Sequence, residues 1–249
     1  MTTAALAPAR WEPPSAVRAR GTLAVIAGAG EGVRVYERFG RRLAVDGYTV
    51  GVFETSDAAG AAAWLAEAET APRVLVGADA GAAAALALAV AAADAAAATD
   101  ATVDGVVVAG LASPGTPAAP ADQRTACPVH LGVLAESDAA ATRAVDPSAA
   151  ADLPGPDALA GLAVPVLAIH GAADAVTAPA AARRTLSPIP TLELVETVDG
   201  LHDALNDVSH RSVAATIVLW LERLRGAGVQ HPIVRPASPA QTLQEGATR

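Results

Sequence analysis

Three residues of this sequence, Asp79, Asp174 and His202, have the types and the chain order that nucleophilic or acid–base chemistry requires. Each stands just beyond an apolar run. Asp79 lies in Val74-Leu-Val-Gly77-Ala-Asp79-Ala-Gly81-Ala, where such a run gives way to an alanine-rich stretch. Gly77 and Gly81 carry no side chain to collide where the backbone doubles back, so the residue between them is pushed out with a helix start behind it. Asp174 ends His170-Gly-Ala-Ala-Asp174, and His202 sits in Asp199-Gly-Leu-His202-Asp203. A carboxylate displayed on a tight turn, with a second carboxylate and an imidazole after it, can attack a substrate, hold a water or move a proton.

Such loops need a rigid scaffold. Apolar runs at 22–27, 48–53, 74–77, 103–110, 164–170 and 191–198 read as strands. Residues 31–45, 58–68, the stretch from the Asp79 turn to about 97, 178–186 and 208–224 read as helices. Strands separated by helices pair in parallel through right-handed crossovers. Near-continuous Val/Leu/Ile/Ala runs are what strands covered on both faces show. The pattern predicts an α/β protein, a three-layer sandwich on a mostly parallel sheet of about six strands. Ligands bind beyond the carboxyl ends of such strands, where Asp79, Asp174 and His202 all fall. Residues 1–20 read as a loosely ordered segment with Trp11 as anchor, 21–225 as one domain, and 226–249 as a flexible tail. The strand–helix rhythm breaks at 112–160, where prolines recur, and this stretch reads as a short cap insertion.

Two longer motifs carry a family resemblance. Val164-Pro-Val-Leu-Ala-Ile-His170-Gly-Ala-Ala-Asp174, with Pro179 after it, resembles the acid-bearing strand and loop of the α/β-hydrolase superfamily. Gly200-Leu-His202-Asp203-Ala-Leu-Asn206-Asp207 resembles the histidine loop of its lysophospholipase and monoacylglycerol-lipase-like branch. Nucleophile, acid and histidine occur in that family's order. The likeness spans about residues 21–225 and implies the α/β-hydrolase fold. It further implies that His202 is the general base, that Asp174 orients its ring, and that the N–H groups of Ala80 and Ala29 are oxyanion donors.

Two positions depart from the pattern. Asp79 stands where most such turns carry serine, and Ala27 where the family commonly has histidine. An aspartate nucleophile is similar to that of the epoxide hydrolases and haloalkane dehalogenases of this fold. A carboxylate displaces at a saturated carbon, giving an alkyl ester that water then opens, whereas attack on an ester would give a mixed anhydride. Those branches place Trp after the Asp, where this chain has Ala80, and epoxide hydrolases use cap tyrosines. Here Tyr36 and Tyr48, the chain's two tyrosines, both precede the turn. The expected function is hydrolysis of a small to medium apolar substrate, ester-type first, through Asp79, His202 and Asp174. The alternatives are an epoxide hydrolase or dehalogenase-like enzyme using Asp79 as nucleophile, or a non-hydrolytic protein that binds its ligand or promotes cyclisation or elimination.

Plainer roles compete at several positions. An aspartate between strand and helix is often an N-cap. His170 reads as a packed strand-end residue, Cys127 as a small buried one, and Asp203, Asn206 and Asp207 as caps of the last helix. Arg124 and His130, in Arg124-Thr-Ala-Cys-Pro-Val-His130, form a polar cluster in apolar surroundings that faces either substrate or solvent. Gly28-Ala-Gly30-Glu-Gly32-Val33, with Glu54 after the next strand, approaches a dinucleotide-binding turn, but the third glycine is valine. A nucleotide site there would leave Asp79, Asp174 and His202 without a role.

Composition sets the outer limits. The 249 residues, 52% hydrophobic, suffice for one sizeable core. A formal charge of −9 argues against nucleic acid and anionic membrane surfaces as partners, leaving a small-molecule substrate. The alanine-rich run at 81–99 includes Asp94 and reads as a buried helix, not a membrane insertion. The single cysteine fits a reducing, cytoplasmic setting, and Pro8, Pro13 and Pro14 interrupt the N-terminal region where a secretory signal would need an apolar run. No cofactor or metal is called for. The oligomeric state is open, a homodimer included.

Overall fold

The apolar runs become a seven-stranded sheet with strand order β1-β3-β2-β4-β5-β6-β7. The computed structural model describes residues 9–95, 103–113, 119–140, 153–226 and 229–235. The parallel strands are β2 (Gly21–Ile26), β3 (Tyr48–Phe53), β4 (Arg73–Ala78), β5 (Gly105–Ala109), β6 (Val166–Gly171) and β7 (Leu192–Thr197). Side chains alternate between two cores, as the pleat demands. Leu23, Val25, Val74, Val76, Leu167 and Ile169 join the core under α1 (Glu37–Val45) and α8 (His210–Arg225). Ala24, Ile26, Leu75, Val106, Val108 and Ala168 join the opposite core, under α2 (Ala58–Ala66) and α3 (Ala80–Ala95). Helices on both faces explain why β2, β3, β5 and β6 are buried along their whole length.

Alanine in α3 has a packing purpose. A Cβ on Gly81 would lie 2.2 Å from the Ile26 carbonyl oxygen, so α3 begins in backbone contact with the sheet. Ala82, Ala84, Ala85 and Ala89 are buried on that approach. Among the described residues no helix is long and apolar enough to cross a membrane.

The structure differs from the sequence expectation in three places. The seventh strand, β1 (Ala9–Trp11), pairs antiparallel with β3 at the sheet edge, within the segment expected to pack loosely. Its ring-bearing Trp11 lies over Gly40, where a Cβ would come within 2.3 Å of it, so the glycine in α1 makes room for the anchor. The helix expected over 31–45 starts late: Gly28–Gly32 is a loop, Val33–Tyr36 one 3-10 turn, and α1 follows. Glu31 turns its side chain back onto the Gly28 N–H, which ends any helical path through the loop. The cap stretch contains α4 (Ala121–Arg124), α5 (Pro128–Ala140) and α6 (Pro156–Ala160). Pro128 and Pro156 open helices, where a missing N–H costs nothing. Residues 96–102, 114–118, 141–152 and 236–249, which include parts of the expected cap and tail, lie outside the described residues. After α8 comes α-free chain at 229–235, where Arg223 holds the Val229 carbonyl at 2.9 Å. The remaining helix, α7 (Pro179–Leu186), follows β6.

Candidate active site

The turn after β4 puts Asp79 in the left-handed region at φ 51°, a conformation that aspartate tolerates better than most side chains. The only other non-glycine residue with positive φ among those described is Asp199, at 54°, in the loop that carries His202. Strain therefore concentrates in the two loops that face each other. A Cβ on Gly77 would sit 2.2 Å from the Gly81 carbonyl oxygen, so both glycines are needed for the reversal. The Asp79 N–H donates to the Ala109 carbonyl at 3.1 Å, tying the turn to the end of β5. A Cβ on Gly110, itself at φ 55°, would lie 2.1 Å from the His202 carbonyl oxygen, so the histidine loop rests directly on that same strand end.

The fold brings Asp79, His202 and Asp174 together. His202 Nε2 is 3.2 Å from Asp79 Oδ1, and its Nδ1 is 2.8 Å from Asp174 Oδ2. Asp174 Oδ1 accepts the N–H groups of Val176 (2.8 Å) and Thr177 (3.0 Å). His170 Nε2 lies 2.8 Å from the Thr177 carbonyl and 3.0 Å from Asp174 Oδ2. Both neighbours are acceptors, so that nitrogen carries the proton. His170 is thus a packed residue that also fixes the acid. The second oxygen of Asp79, Oδ2, accepts the Ala29 N–H at 3.1 Å, and the Ala80 N–H also donates to the carboxylate.

These contacts set the charges. Burial works against ionisation of Asp79, but the His202 hydrogen bond and charge, with help from Arg124 and the Ala80 N–H, hold its carboxyl below the ordinary range. Burial likewise opposes the charge on Asp174, and bonds from His170 and His202 hold it well below that range. For His202 burial disfavours the charged ring, yet the hydrogen bonds to Asp174 and Asp79 raise its pKa from 6.5 to about 9. At neutral pH the resting state is an imidazolium between two carboxylates.

Arg124 and His130 are placed by the histidine loop. Arg124 forms an ion pair with Glu31 and bonds Asp203 Oδ1 through Nε (3.1 Å) and Nη2 (2.8 Å). His130 Nε2 is 2.8 Å from Asp203 Oδ2. Neither lines the cavity over Asp79. Asp203, Asn206 and Asp207 do not cap α8, whose N-cap is Ser209 without a side-chain bond. Asp203 and Asp207 face the cap instead, and the Asn206 carbonyl accepts from Arg38. Asp207 is buried and accepts the Thr125 hydroxyl (2.9 Å), the Ala126 N–H (2.8 Å) and the Leu201 N–H (3.0 Å), locking the α4–α5 connection to the histidine loop. Asp207→Ala strands those donors, and a loss of about 2–4 kcal/mol is expected, read as a lower midpoint in urea unfolding. An unchanged midpoint would show that the three bonds do not hold the cap.

Tyr36, set aside above because it precedes the Asp79 turn, and Glu31, expected only as a helix residue, both reach the site. Glu31 Oε2 accepts the Gly28 N–H at 3.1 Å and the Tyr36 hydroxyl, and both side chains line the cavity beside Asp79 and His202. A signal was present: Glu31 is the polar residue just beyond β2, as Asp79 is beyond β4. Burial, the largest influence, pushes the Glu31 carboxyl up, and the Asp203 and Asp79 charges add to that against the pull of Arg124 and the Tyr36 bond. The cavity itself measures about 10 Å³, room for one water. No cluster of side chains suited to a metal occurs among the described residues. Glu54, the acid of the nucleotide alternative, is exposed at the end of β3 and takes no part in the cavity.

No family model matches the chain, and no curated protein is significantly similar in sequence. Solved structures are similar in fold. The monoacylglycerol lipase of Paleococcus ferrophilus superposes with a TM-score of 0.61 at 16% identity, over 86% of this chain and 96% of that one. A soluble variant of monoglyceride lipase from Saccharomyces cerevisiae gives 0.69 at 14% identity, over 86% and 90%. The esterase domain of a Rhodothermus marinus protein gives 0.59 at 17%, over 87% and 92%. With the strand order and the edge strand β1, these similarities establish that the chain has the α/β-hydrolase fold.

Proposed function

We propose that this chain is a hydrolase in which Asp79 attacks a saturated carbon of a small to medium, mostly apolar substrate, with His202 and Asp174 completing the machinery. The observation that carries this is the division of labour on one carboxylate: Oδ2 is held by the Ala29 N–H while Oδ1 faces His202. In an ester hydrolase those N–H donors are needed for the substrate carbonyl. Here the side chain at the turn occupies them itself. Attack by Oδ1 forms a carbon–oxygen bond as the leaving group departs with its electron pair, giving an alkyl ester of Asp79. Its charge is then gone, and only Asp174 still holds the proton on His202. The ring pKa falls, the Nε2 proton passes to the departing group or to solvent, and the neutral imidazole then takes a proton from water. Hydroxide adds to Cγ of Asp79, and the charge that develops on Oδ2 meets the N–H groups already bonded there. Collapse releases the product alcohol, which takes the proton from His202, and restores the carboxyl group.

A second reading has Asp79 as a general base that holds water against an ester carbonyl. The room for one water over Asp79 favours it, as do similarities to proteins named lipases and an esterase. Turnover of a haloalkane, an epoxide or a p-nitrophenyl ester in heavy-oxygen water separates the two readings. Covalent catalysis puts label into Asp79, read by peptide mass spectrometry. Turnover without label leaves the general-base reading.

A further inference from the structure

A second space lies near the cavity. A groove of about 370 Å³ runs between α1 and the cap helix α5, a volume suited to a small ligand. We propose that this groove binds a small organic anion with a short apolar body, of the kind represented by a medium-chain carboxylate. The proposal stands whether or not Asp79 reacts.

The charge is the first ground. Arg34, Arg38 and Arg41 line the groove beside a single carboxylate, Glu37, and their spacing across the 3-10 turn and α1 brings the three to one side. In a chain with a formal charge of −9, this is a local reversal of sign. Arg41 bonds Glu37 at 2.6 Å, and Arg34 faces Glu136 of α5 at 3.5 Å. Both pairs are exposed, where an ion pair is weak enough for a ligand anion to replace it. Arg38 has no carboxylate partner among the described residues: it donates to the Asn206 carbonyl and, at 3.4 Å, to Cys127 Sγ. A guanidinium bonded only to neutral acceptors keeps its charge available to an incoming anion.

The apolar wall is the second ground. Val35, Val129 and Val133 line the same groove, and Val129 is 65% exposed. An anion without an apolar part would leave that surface wet; a neutral apolar molecule would leave the guanidinium groups without a partner. Position is the third. Asn206 lines both this groove and the Asp79 cavity, and His130, at the base of the groove, bonds Asp203 next to His202. A ligand here lies one layer of side chains from the candidate active site.

Calorimetric titration of the full chain with octanoate, octanol and acetate tests this. Octanoate is expected to bind, with octanol and acetate each weaker by about tenfold or more. The double variant Arg34→Gln/Arg41→Gln changes only exposed side chains and is expected to weaken octanoate about tenfold, as is Arg38→Gln. Equal affinity for octanoate and octanol would overturn the proposal. So would octanoate affinity unchanged in both variants, or no octanoate binding at concentrations up to about 10 mM.

Discussion

Asp79→Asn is expected to cut turnover by about a thousandfold or more while leaving the fold intact. Asparagine has the same shape and accepts positive φ, so the turn at φ 51° is preserved. The amide oxygen is a poor nucleophile and a poor base, so either route through Asp79 fails. A second readout does not depend on activity. His202 is held near pKa 9 by two carboxylates, Asp174 and Asp79. Neutralising one of them lowers that value, which a histidine titration by NMR follows directly. The same fall is what the alkyl-ester route requires once Asp79 is esterified, so the variant imitates the electrostatics of the intermediate. A His202 pKa that stayed near the wild-type value would refute the coupling. If wild type and variant were equally inert on esters, an epoxide and a haloalkane, a binding or acid–base role without hydrolysis would be favoured.

Asp79→Ser is expected to work in the opposite direction on esters. The carboxylate keeps the Ala29 and Ala80 N–H groups engaged. Serine removes Oδ2, frees those donors for a substrate carbonyl, and places a hydroxyl within reach of a His202 that has lost one of its two carboxylate partners. Each recovered oxyanion donor is worth about a hundredfold or more. A rise of that order in p-nitrophenyl acetate hydrolysis over wild type is the expected result, together with inactivation by a sulfonyl fluoride that leaves wild type untouched. No gain in either assay would mean that Asp79 is not what keeps esters from reacting. The pair of substitutions thus separates removal of chemistry from exchange of chemistry at one position.

Much of the scaffold was readable from local pattern because its strands are covered on both faces. Tyr48–Phe53 was legible to the residue, and the other parallel strands to within a few positions, since continuous apolar runs have little ambiguity when both sides are buried. The strand at Ala9–Trp11 was not, because three residues with one aromatic carry no period; its pairing with β3 depends on Gly40 leaving space for Trp11. The 3-10 turn at Val33–Tyr36 was missed for a related reason. Glu31 looks like a helix residue by sequence neighbours and is drawn inward by partners far along the chain.

By itself the sequence determined which positions could carry chemistry. Glycines at 77 and 81 permit a tight turn, and Asp174 and His202 follow apolar runs that read as strands of a parallel sheet. Backbone sterics and burial are local, and they print in the chain. Only the tertiary structure decided what those side chains touch. It gave Asp79 one oxygen on His202 and the other on Ala29, took Asp203 and Asp207 from α8 and set them against the cap, and moved Glu31 and Tyr36 into the same cavity. Charge and hydrogen bonding act between groups distant in sequence, with Asp79 and His202 123 residues apart. The Asp79 turn could therefore be placed from the sequence, whereas its partners came only with the fold.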